Sequence, residues 1–499
     1  MGLVPGKLGE NKDENIAKVS ELTGVSVEYI NEQLSQSWVG DDTFVPVKKL
    51  KATESELENS LLGIPGVQVN KVDGRVYSLG EEAAHLIGYV QSVTAEDLEN
   101  HQGEGYTSTS VIGKSGLELA YEDTLRGIDG TEIYIADSNG NKIQELAKQD
   151  KKDGENITLT IDSSLQAEVY NLMKDDKGLF VIMEPQTGEL LALVSTPSFD
   201  SNDFTVGMTE AKWEELNNDE RNPLYNRFIQ KYCPGSTFKA VTGAIGLTTG
   251  DIDQNEDYGY SGTSWQKDSS WGNYYVTTLT GYSGPKNLLN AIMHSDNIYF
   301  AQTTLKMGAE KYVENLNKIG FNETLDFPLT LAKSQYAVDN GDTIEGETRL
   351  ADTGYGQGSL LVNPIHMASI YSGFANNGDM IKPILLASEE KSQVWKENVF
   401  TENAANTIKE DLIQTIENVN GNARDMKVQG LTIAGKTGTA ELKTSSEDTE
   451  SGTLGWFDCF TVDRQDGTNM LIVSMVENIQ DNAEGGSHYL ISKIRTLFE

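Results

Sequence analysis

The chain has 499 residues, and its 76 aspartates and glutamates outnumber its 39 lysines and arginines, giving a formal net charge of −37 at pH 7. A chain of this length is expected to fold into two or three domains, and so acidic a surface argues against nucleic acid as a partner. The two cysteines form no C-x-x-C or Cys/His cluster, which argues against a zinc site.

The sequence shows no segment of the kind that crosses or enters a membrane. No apolar run approaches the roughly 18 residues that a spanning helix needs. The N-terminal MGLVPGKLGE lacks the charged and apolar regions of a signal peptide.

The first part of the chain predicts short helices and strands. Residues 14–35 read as two amphipathic helices that are separated at Gly24. Residues 66–90 contain the β-branched stretches GVQVNKV and RVYSL, and a helix is predicted at about 81–87.

A hairpin and a polar connector close this first part. Residues 130–147 predict the hairpin, because the Asn139-Gly140 pair is the strongest short hairpin signal. The connector 148–156 is rich in lysine and aspartate. We therefore expect one domain over residues 1–152 and a second over residues 153–499.

The second domain begins with a predicted strand, helix and hairpin. The strand covers 157–162, and the helix covers 163–175 with Ser163 or Asp162 as its cap. The hairpin covers 178–195, with two apolar strands around a Pro-Gln-Thr-Gly turn.

The end of the chain repeats this pattern of apolar strands. Strands are predicted at 453–463 and 469–478 around Asp466-Gly467, followed by a helix over 486–499. Strands at both ends of the domain, with helices between them, predict one sheet whose edges come from the two ends of the segment.

A serine and a lysine stand one helical turn apart in 231-KYCPGSTFKAVTGAIGLTTG-250. Because residues i and i+3 share a helix face, the Ser236 hydroxyl and the Lys239 amine can touch. A cation inside an apolar helix costs several kcal/mol unless it is paired or neutral, and a neutral lysine beside a serine is a general base. The S-x-x-K pattern alone also describes a capping serine and a surface lysine.

Cys233 stands close to this serine and is a second candidate nucleophile. No basic residue lies one helical turn from it, so we interpret it as a small packing residue. A disulfide between Cys233 and Cys459 stays open, because sequence alone cannot fix pairing.

Two further motifs follow in order. They are Ser295-Asp296-Asn297 in 294-HSDNIYF-300 and Lys436-Thr437-Gly438 in 434-AGKTGTAE-441. S-x-x-K, S-D-N and K-T-G in this order form the signature of penicillin-binding proteins and class A β-lactamases. Three motifs in order rarely arise by chance, so they predict that Ser236 is a catalytic nucleophile.

The sequence from about residue 157 to 499 resembles the transpeptidase domain of class B penicillin-binding proteins. Besides the three motifs, 352-DTGYGQGSLLVNPIHMASIYSGFANNGDMIKP-383 is similar to a G-x-G-Q-G segment of that family. The stretches 75-RVYSLGEEAAHLIGYV-90 and 112-IGKSGLELAYEDTLRGIDG-130 resemble its non-catalytic pedestal domain, of the dimerisation type. The resemblance implies a multi-domain α+β fold, in which the transpeptidase domain has a five-stranded antiparallel sheet between helices.

Within the family, the resemblance is greatest to the low-affinity, methicillin-resistance-type branch of Gram-positive bacteria. It rests on 36-QSWVGDDTFVPVK-48, 265-WQKDSSWGNY-274 and 294-HSDNIYFAQ-302. That branch normally carries an N-terminal membrane anchor and an extension domain, which this sequence lacks. The sequence is therefore either a shortened relative or part of a longer protein, whose upstream sequence would encode an apolar run of about 20 residues.

The resemblance implies a role for each catalytic residue. Ser236 would attack the carbonyl of the penultimate D-Ala of a peptidoglycan stem peptide, and Lys239 would take the serine proton. Ser295 would relay a proton to the leaving or attacking amine. Asn297 would bind the substrate amide and help to hold Lys239.

The third motif would bind substrate. Lys436 would supply positive charge for a substrate carboxylate, and the Thr437 and Thr439 hydroxyls would bond it, with Gly438 between them. The backbone N–H groups of Ser236 and Thr439 would form the oxyanion hole.

Neighbouring polar and aromatic residues are given lesser roles. Asp296 is expected to face away from substrate and to serve structure, and His294 to pack. Glu441 either borders the acyl-donor groove or is structural. Trp456 and Phe457 are expected to fill the sheet core.

The resemblance implies a peptidoglycan D,D-transpeptidase that β-lactams acylate and that needs no metal or organic cofactor. Its partners would be stem peptides, β-lactam antibiotics and other cell-wall synthesis proteins, at the extracytoplasmic face of the membrane. Two alternatives remain: a D,D-carboxypeptidase or β-lactamase, and a β-lactam-binding sensor or scaffold without turnover.

Overall fold

The structure, a computed structural model, describes residues 1–51, 53–72, 74–338, 341–441, 452–464, 467–481, 486 and 488–499. The chain divides into two compact units. The first unit comprises residues 1–156 and 198–224, and the second comprises 157–197 and 225–499. The return of 198–224 to the first unit was not foreseen from the sequence.

The strands are β1 Gly2–Leu3, β2 Val45–Pro46, β3 Val67–Gln68, β4 Val90–Ser92, β5 Val111–Gly113, β6 Thr131–Ala136, β7 Lys142–Gln149, β8 Gly178–Met183, β9 Leu190–Thr196, β10 Ser264–Trp265, β11 Val276–Thr277, β12 Met380–Ile381, β13 Val394–Lys396, β14 Ile433–Glu441, β15 Thr453–Thr461 and β16 Leu471–Glu477.

The α-helices are α1 Lys12–Thr23, α2 Val27–Leu34, α3 Ser55–Leu62, α4 Ala84–Ile87, α5 Ala95–Asn100, α6 Gly116–Ala120, α7 Glu122–Leu125, α8 Ser163–Met173, α9 Ser201–Val206, α10 Glu210–Asn218, α11 Lys239–Thr249, α12 Leu288–Met293, α13 Asn297–Met307, α14 Ala309–Lys318, α15 Glu347–Gly354, α16 Pro364–Ala375, α17 Glu402–Glu417 and α18 His488–Arg495.

The first unit has small cores and one long hairpin. Helices α1 to α3 bury a cluster of aliphatic residues, among them Ile16, Val19 and Ile30. The hairpin β6–β7 is exposed along both strands, and the Asp137 side chain accepts bonds from the backbone N–H groups of Asn139 and Asn141 at its turn. The predicted helix pair and hairpin are thus confirmed.

The segment 198–224 joins the first unit through contacts that are distant in sequence. Lys51 lies 2.6 Å from an Asp200 carboxylate oxygen and 2.7 Å from one of Asp203. Phe199 and Phe204 pack edge to face with their ring centroids 5.4 Å apart. Such pairings leave no local sequence pattern, which is why this return was not predicted.

The second unit is built on a five-stranded antiparallel sheet with the strand order β14-β15-β16-β8-β9. One sheet combines strands from both ends of the domain, as the sequence predicted, but the edges differ from the prediction: the end strands β8 and β16 pair with each other in the middle, and β9 and β14 form the edges. Strand β8 is buried at every residue, because helices cover both faces of the sheet.

Each face of the sheet has its own helices. One face packs with α8 and α18 in a core that includes Phe180, Phe457 and Cys459. The opposite face packs against α16, and α17 packs against β14. Strand β14 therefore lies at the sheet edge, where its side chains can meet residues from the helical layer.

Two sequence predictions need correction or restriction. Residues 157–162 do not form a strand. Leu159 makes an isolated bridge to Leu386, and the backbone bonds of this segment are divided between residues 385–387 and Leu191, so no single strand pairs with it. Of the two caps predicted for helix α8, the structure has Asp162, whose side chain accepts from the N–H groups of Ser164 and Leu165. The turn predicted at Asp466-Gly467 lies partly outside the described residues.

Across the described part of the chain, none of the helices combines the length and the apolar character that crossing a membrane requires.

Candidate active site

Ser236 lies in a short 3-10 helix, Gly235–Phe238, which runs directly into α11. The turn is held tightly against its surroundings. Gly235 has φ +54°, and a Cβ there would lie 2.5 Å from the Thr439 carbonyl oxygen on β14. The Gly235 N–H donates to the Gly356 carbonyl at 2.9 Å. Only glycine fits this position, so the serine is placed directly beside the edge strand.

Lys239 is the first residue of α11 and is 0 % exposed. Its Nζ lies 2.8 Å from Ser236 Oγ. Nζ also donates to the Ser295 carbonyl at 2.7 Å and to Asn297 Oδ1 at 2.6 Å. The first two motifs therefore meet at one nitrogen atom.

Ser295 lies between α12 and α13 and has φ 55°, a conformation that is uncommon for a residue with a side chain. Its Oγ lies 3.1 Å from Lys239 Nζ and accepts a bond from Lys436 Nζ at 2.9 Å. One hydroxyl thus connects the two lysines. Strained backbone of this kind occurs where the surrounding structure fixes a functional side chain.

The two lysines are fully buried, and burial lowers the pKa of each. Burial, followed by the nearby charge of Lys436, holds the pKa of Lys239 well below its usual range. Burial lowers the pKa of Lys436 to about 7, against an opposing effect of Asp458. A buried lysine with a lowered pKa can be neutral at neutral pH and can accept a proton.

Asn297 and Asp296 act around α13 in different ways. Asn297 holds Lys239 through Oδ1, and its Nδ2 donates to the Thr277 carbonyl at 2.7 Å. Asp296 is fully buried and caps the helix by accepting from the Ile298 N–H at 2.9 Å. It also accepts from the Tyr282 hydroxyl at 2.8 Å, so its oxygens serve structure.

The third motif lies on edge strand β14. Lys436 and Gly438 face the serine turn, since a Cβ at Gly438 would lie 2.8 Å from the Thr237 side chain. The Thr437 hydroxyl accepts from Asn422 Nδ2 at 3.0 Å and is largely buried. Thr439 is exposed. Of the predicted binding groups, Thr439 is therefore the one directly open to a ligand.

Several residues that fix the serine turn were missed in the sequence. The Tyr371 hydroxyl donates to the Thr237 carbonyl at 2.7 Å, and Trp456 Nε1 donates to the Cys233 carbonyl at 2.9 Å. Cys233 Sγ in turn donates to the Gly356 carbonyl at 3.0 Å. Only the tertiary fold brings these groups together, and no spacing along the chain marks them.

The secondary predictions have mixed outcomes. His294 stacks on Tyr282 with ring centroids 4.4 Å apart, which is the packing role expected. Phe457 and Trp456 are both buried in the sheet, as expected, and Trp456 also supports the serine turn through its hydrogen bond. Cys233 and Cys459 are both buried free thiols. Burial raises the pKa of Cys233 to about 12, which does not favour a thiolate nucleophile.

Glu441 is exposed at the end of β14, and its role stays a prediction. Within the described residues, no group of three or more His, Cys, Asp or Glu side chains is placed to hold a metal ion.

The arrangement supports nucleophilic catalysis by a serine hydroxyl. A lysine amine lies within hydrogen-bond distance of the hydroxyl, and the amine is itself oriented by two oxygens that only accept hydrogen bonds. This is the relation between nucleophile, base and orienting group that serine enzymes share on unrelated folds.

Comparisons with known proteins agree with this fold. The family model described as the penicillin-binding protein transpeptidase domain matches residues 178–493. The model described as the penicillin-binding protein dimerisation domain matches residues 1–159.

Individual relatives are similar over most of the chain. Penicillin-binding protein 3 of Bacillus subtilis is 40 % identical over 500 residues, which cover all of this chain and 73 % of that protein. The peptidoglycan D,D-transpeptidase MrdA of Acinetobacter baumannii is 28 % identical, over 88 % of this chain and 67 % of that protein.

A solved structure shares the fold. It is the complex between penicillin-binding protein PBP2 and MreC from Helicobacter pylori, with a TM-score of 0.76 and 24 % identity. The match covers 98 % of this chain and 91 % of that one. Together with the two family models, these similarities establish that the chain belongs to the class B penicillin-binding proteins, which combine a dimerisation domain with a transpeptidase domain.

Proposed function

We propose that the chain is a peptidoglycan D,D-transpeptidase that works through an acyl-enzyme on Ser236. The observation that carries the proposal is the environment of Lys239 Nζ, which lies buried 2.8 Å from Ser236 Oγ. A neutral amine has two N–H donors and one lone pair. The Ser295 carbonyl and Asn297 Oδ1 can only accept, so they occupy the two N–H groups and leave the lone pair for the serine proton.

Acylation follows from this arrangement. Lys239 takes the proton of Ser236 as Oγ attacks the carbonyl of the penultimate D-Ala. The backbone N–H groups of Ser236 and Thr439 stabilise the oxyanion, a contribution worth about 10² to 10³ in rate for one donor. The proton passes from Lys239 to the leaving D-Ala amine through Ser295 Oγ, which lies 3.1 Å from Nζ.

Substrate is held by the third motif. Lys436 places positive charge behind the Ser295 hydroxyl, and a terminal carboxylate is the anionic group it fits. The Thr439 hydroxyl is open to bond this carboxylate, and Thr437 and Gly438 shape the strand edge. In the second half of the reaction, an acceptor amine replaces D-Ala and its proton returns by the same route.

We also propose that the chain belongs to the low-affinity, methicillin-resistance-type branch, on the sequence segments that resemble it. Its reaction would take place on the extracytoplasmic face of the membrane, where peptidoglycan lies. The H. pylori relative was solved with MreC, which supports a cell-wall synthesis protein as a partner of this chain.

Labelling with a fluorescent penicillin, followed by peptide mapping, tests the acyl-enzyme. We expect the adduct on the peptide that contains Ser236 and its loss in Ser236→Ala. Cys233→Ala is the matched control and should label normally. An adduct that persists in Ser236→Ala, or one on Cys233, would contradict the proposal.

Nitrocefin turnover separates the transpeptidase from a β-lactamase. A class A β-lactamase activates a deacylating water with an additional glutamate, and none of the acids between Ser295 and Lys436 lies in a segment that resembles the loop that carries it. With excess nitrocefin we expect a single stoichiometric burst. Sustained hydrolysis at tens of turnovers per second, an ordinary enzymatic rate, would instead identify a hydrolase.

A further inference from the structure

Asp458 on β15 is a buried acid without a bonding partner. The residue is 0 % exposed, and within the described part of the chain neither carboxylate oxygen has a hydrogen-bond partner. An unpaired buried polar group costs about 1–3 kcal/mol, and a charged one costs more. A group kept at such a cost calls for a functional explanation.

The strand register places this acid beside the K-T-G lysine. Lys436 on β14 and Asp458 on β15 are directly opposite partners, so their side chains share one face of the sheet. The same row continues across the sheet with the aliphatic residues Val473, Val181 and Leu193. The two ionisable residues are thus neighbours at one end of an otherwise apolar row.

The ionisable groups around Asp458 come from three elements. They are Lys436 from β14, Tyr371 from α16 and Cys459 on its own strand. The Thr237 hydroxyl and the Ser474 backbone N–H lie near enough to favour the carboxylate, although neither meets the geometry of a hydrogen bond to it. Lys436 is the one cation in this group, so the charge of Asp458 acts chiefly on it.

Lys436 does not turn toward the acid. Its Nζ donates to Ser295 Oγ and to the Thr437 carbonyl, both at 2.9 Å. Ser295 Oγ also lies 3.1 Å from Lys239 Nζ. Two ammonium groups around one hydroxyl repel each other strongly in a buried site. This repulsion favours one added proton shared by the two lysines over two.

The position of that proton decides whether the site is active. If it lies on Lys436, then Lys239 is a free base and the substrate carboxylate meets a cation. If it lies on Lys239, the base is blocked and the carboxylate meets a neutral amine. Asp296 is the acid that acts on Lys239 and favours the second arrangement. Asp458 acts on Lys436 and favours the first.

We propose that Asp458 is a positioning residue that keeps the shared proton on Lys436 and so leaves Lys239 free to act as the base. The proposal rests on the proposed acyl-enzyme function. It explains why an unpaired acid lies behind the third motif, where an aliphatic residue would continue the row and pack at lower cost.

The directions of the pKa shifts agree with this role. Burial raises the pKa of the Asp458 carboxyl and lowers that of Lys436, and each group opposes the effect of burial on the other. Without the acid, burial would lower the pKa of Lys436 further. An opposite charge at close range usually moves a pKa by about 1–3 units.

The test is the pH dependence of Ser236 acylation by a fluorescent penicillin in single-turnover experiments between pH 5 and 9. The basic limb of the profile is the fall in acylation rate at high pH, where Lys436 loses its proton. In Asp458→Asn, which keeps the shape and removes the charge, we expect this limb to move to lower pH by at least about one pH unit. Because the wild-type limb lies at the Lys436 pKa of about 7, this amounts at pH 7 to about a fivefold loss of acylation rate. Asp458→Val, which continues the aliphatic row, should shift the limb in the same direction.

Asp411→Asn is the matched control. Asp411 on α17 is also a buried acid with an unpaired oxygen, and Glu410 is the charged neighbour that acts on it. Its replacement should leave the basic limb in place. Wild-type protein that is not acylated would refute the proposed function itself.

If the wild type is acylated, the pH of the basic limb in the two Asp458 variants decides the inference about Asp458. If the limb lies at the wild-type pH in both variants, Asp458 is neutral across the pH range measured, and the inference is wrong. An equal loss of rate at every pH would indicate a purely structural role and would also overturn it.

Discussion

Lysines in the two units of this protein have pKa values that are shifted in opposite directions. On the exposed hairpin β6–β7, Lys142 pairs with Glu132 and with Glu145, and these hydrogen bonds raise its pKa. In the second unit, Lys239 and Lys436 are buried without a carboxylate bonded to them, and burial lowers the pKa of each. The residue type is the same, and its surroundings reverse the shift.

The difference shows what marks a functional lysine. An exposed ion pair keeps a lysine charged and contributes little to stability. A buried lysine that bonds only to hydroxyl, carbonyl and amide oxygens has no counter-charge. Its charged form therefore costs free energy that the same group would not cost in water. Such a cost is typical of sites where a neutral amine is needed for chemistry.

Removing the buried base should have the largest effect. In Lys239→Ala we expect penicillin acylation of Ser236 to slow by about 10² to 10⁴, the usual worth of general-base catalysis. Single-turnover labelling measures the rate, and thermal melting should show a folded protein. A folded variant that is acylated at the wild-type rate would show that buried Lys239 is not the general base.

The pH profile sharpens the comparison further. Because Lys239 acts in its neutral form, the acylation rate should fall as the pH drops through its lowered pKa. Because Lys436 acts as a cation, the rate should fall about tenfold per unit above its pKa of about 7. Labelling from pH 5 to 9 measures the limb of Lys436, and extending it to lower pH follows the limb of Lys239. A rate that stays level between pH 6 and 9 would contradict the assignment of charge.

Asp411 offers an acidic counterpart with a smaller effect. Burial raises its pKa to about 7, whereas an unfolded aspartate has a pKa of about 3.9. The folded state therefore binds the proton more tightly, and the stability falls as the pH rises from about 4 to about 7. Asp411→Asn should raise the free energy of unfolding by about 1–3 kcal/mol at pH 8.

That gain should nearly disappear at pH 4, where the folded acid is protonated and the unfolded acid is about half protonated. Denaturant unfolding of the wild type and of Asp411→Asn at both pH values measures the difference. A gain of equal size at pH 4 would mean that packing, and not charge, is responsible.

The smallest effect is expected on the hairpin. Lys142→Ala removes an exposed ion-pairing group, so we expect little change in the denaturation midpoint and unchanged acylation of Ser236. Denaturant unfolding and penicillin labelling measure the two quantities. A large loss of either would show that exposed and buried lysines are not as different here as their surroundings indicate.

Local spacing made part of the site predictable. Ser236 and Lys239 are one helical turn apart, so their contact follows from helix geometry, and the order of the three motifs identified the chemistry. The strands of the central sheet were predictable because their apolar runs are continuous. The strand predicted at 157–162 failed, because strand pairing and not composition decides whether an extended segment joins a sheet.

The remaining features depend on contacts between distant parts of the chain. Asp458 lies opposite Lys436 only because β14 and β15 pair in one particular register. Tyr371 reaches the serine turn from α16, and Asn422 reaches Thr437 from a loop. Nothing in the local sequence of these residues distinguishes them from ordinary polar or aromatic positions.

The close approach at the serine turn limits how the protein can adapt to antibiotics. A Cβ at Gly356 would lie 1.9 Å from the Gly235 carbonyl oxygen, and a Cβ at Gly235 would lie 2.5 Å from that of Thr439. Substitution at either glycine would displace the nucleophile for peptide and drug alike. We therefore expect substitutions that weaken drug binding but spare cell-wall synthesis to lie away from these two glycines, at positions where the peptide and the drug differ in shape.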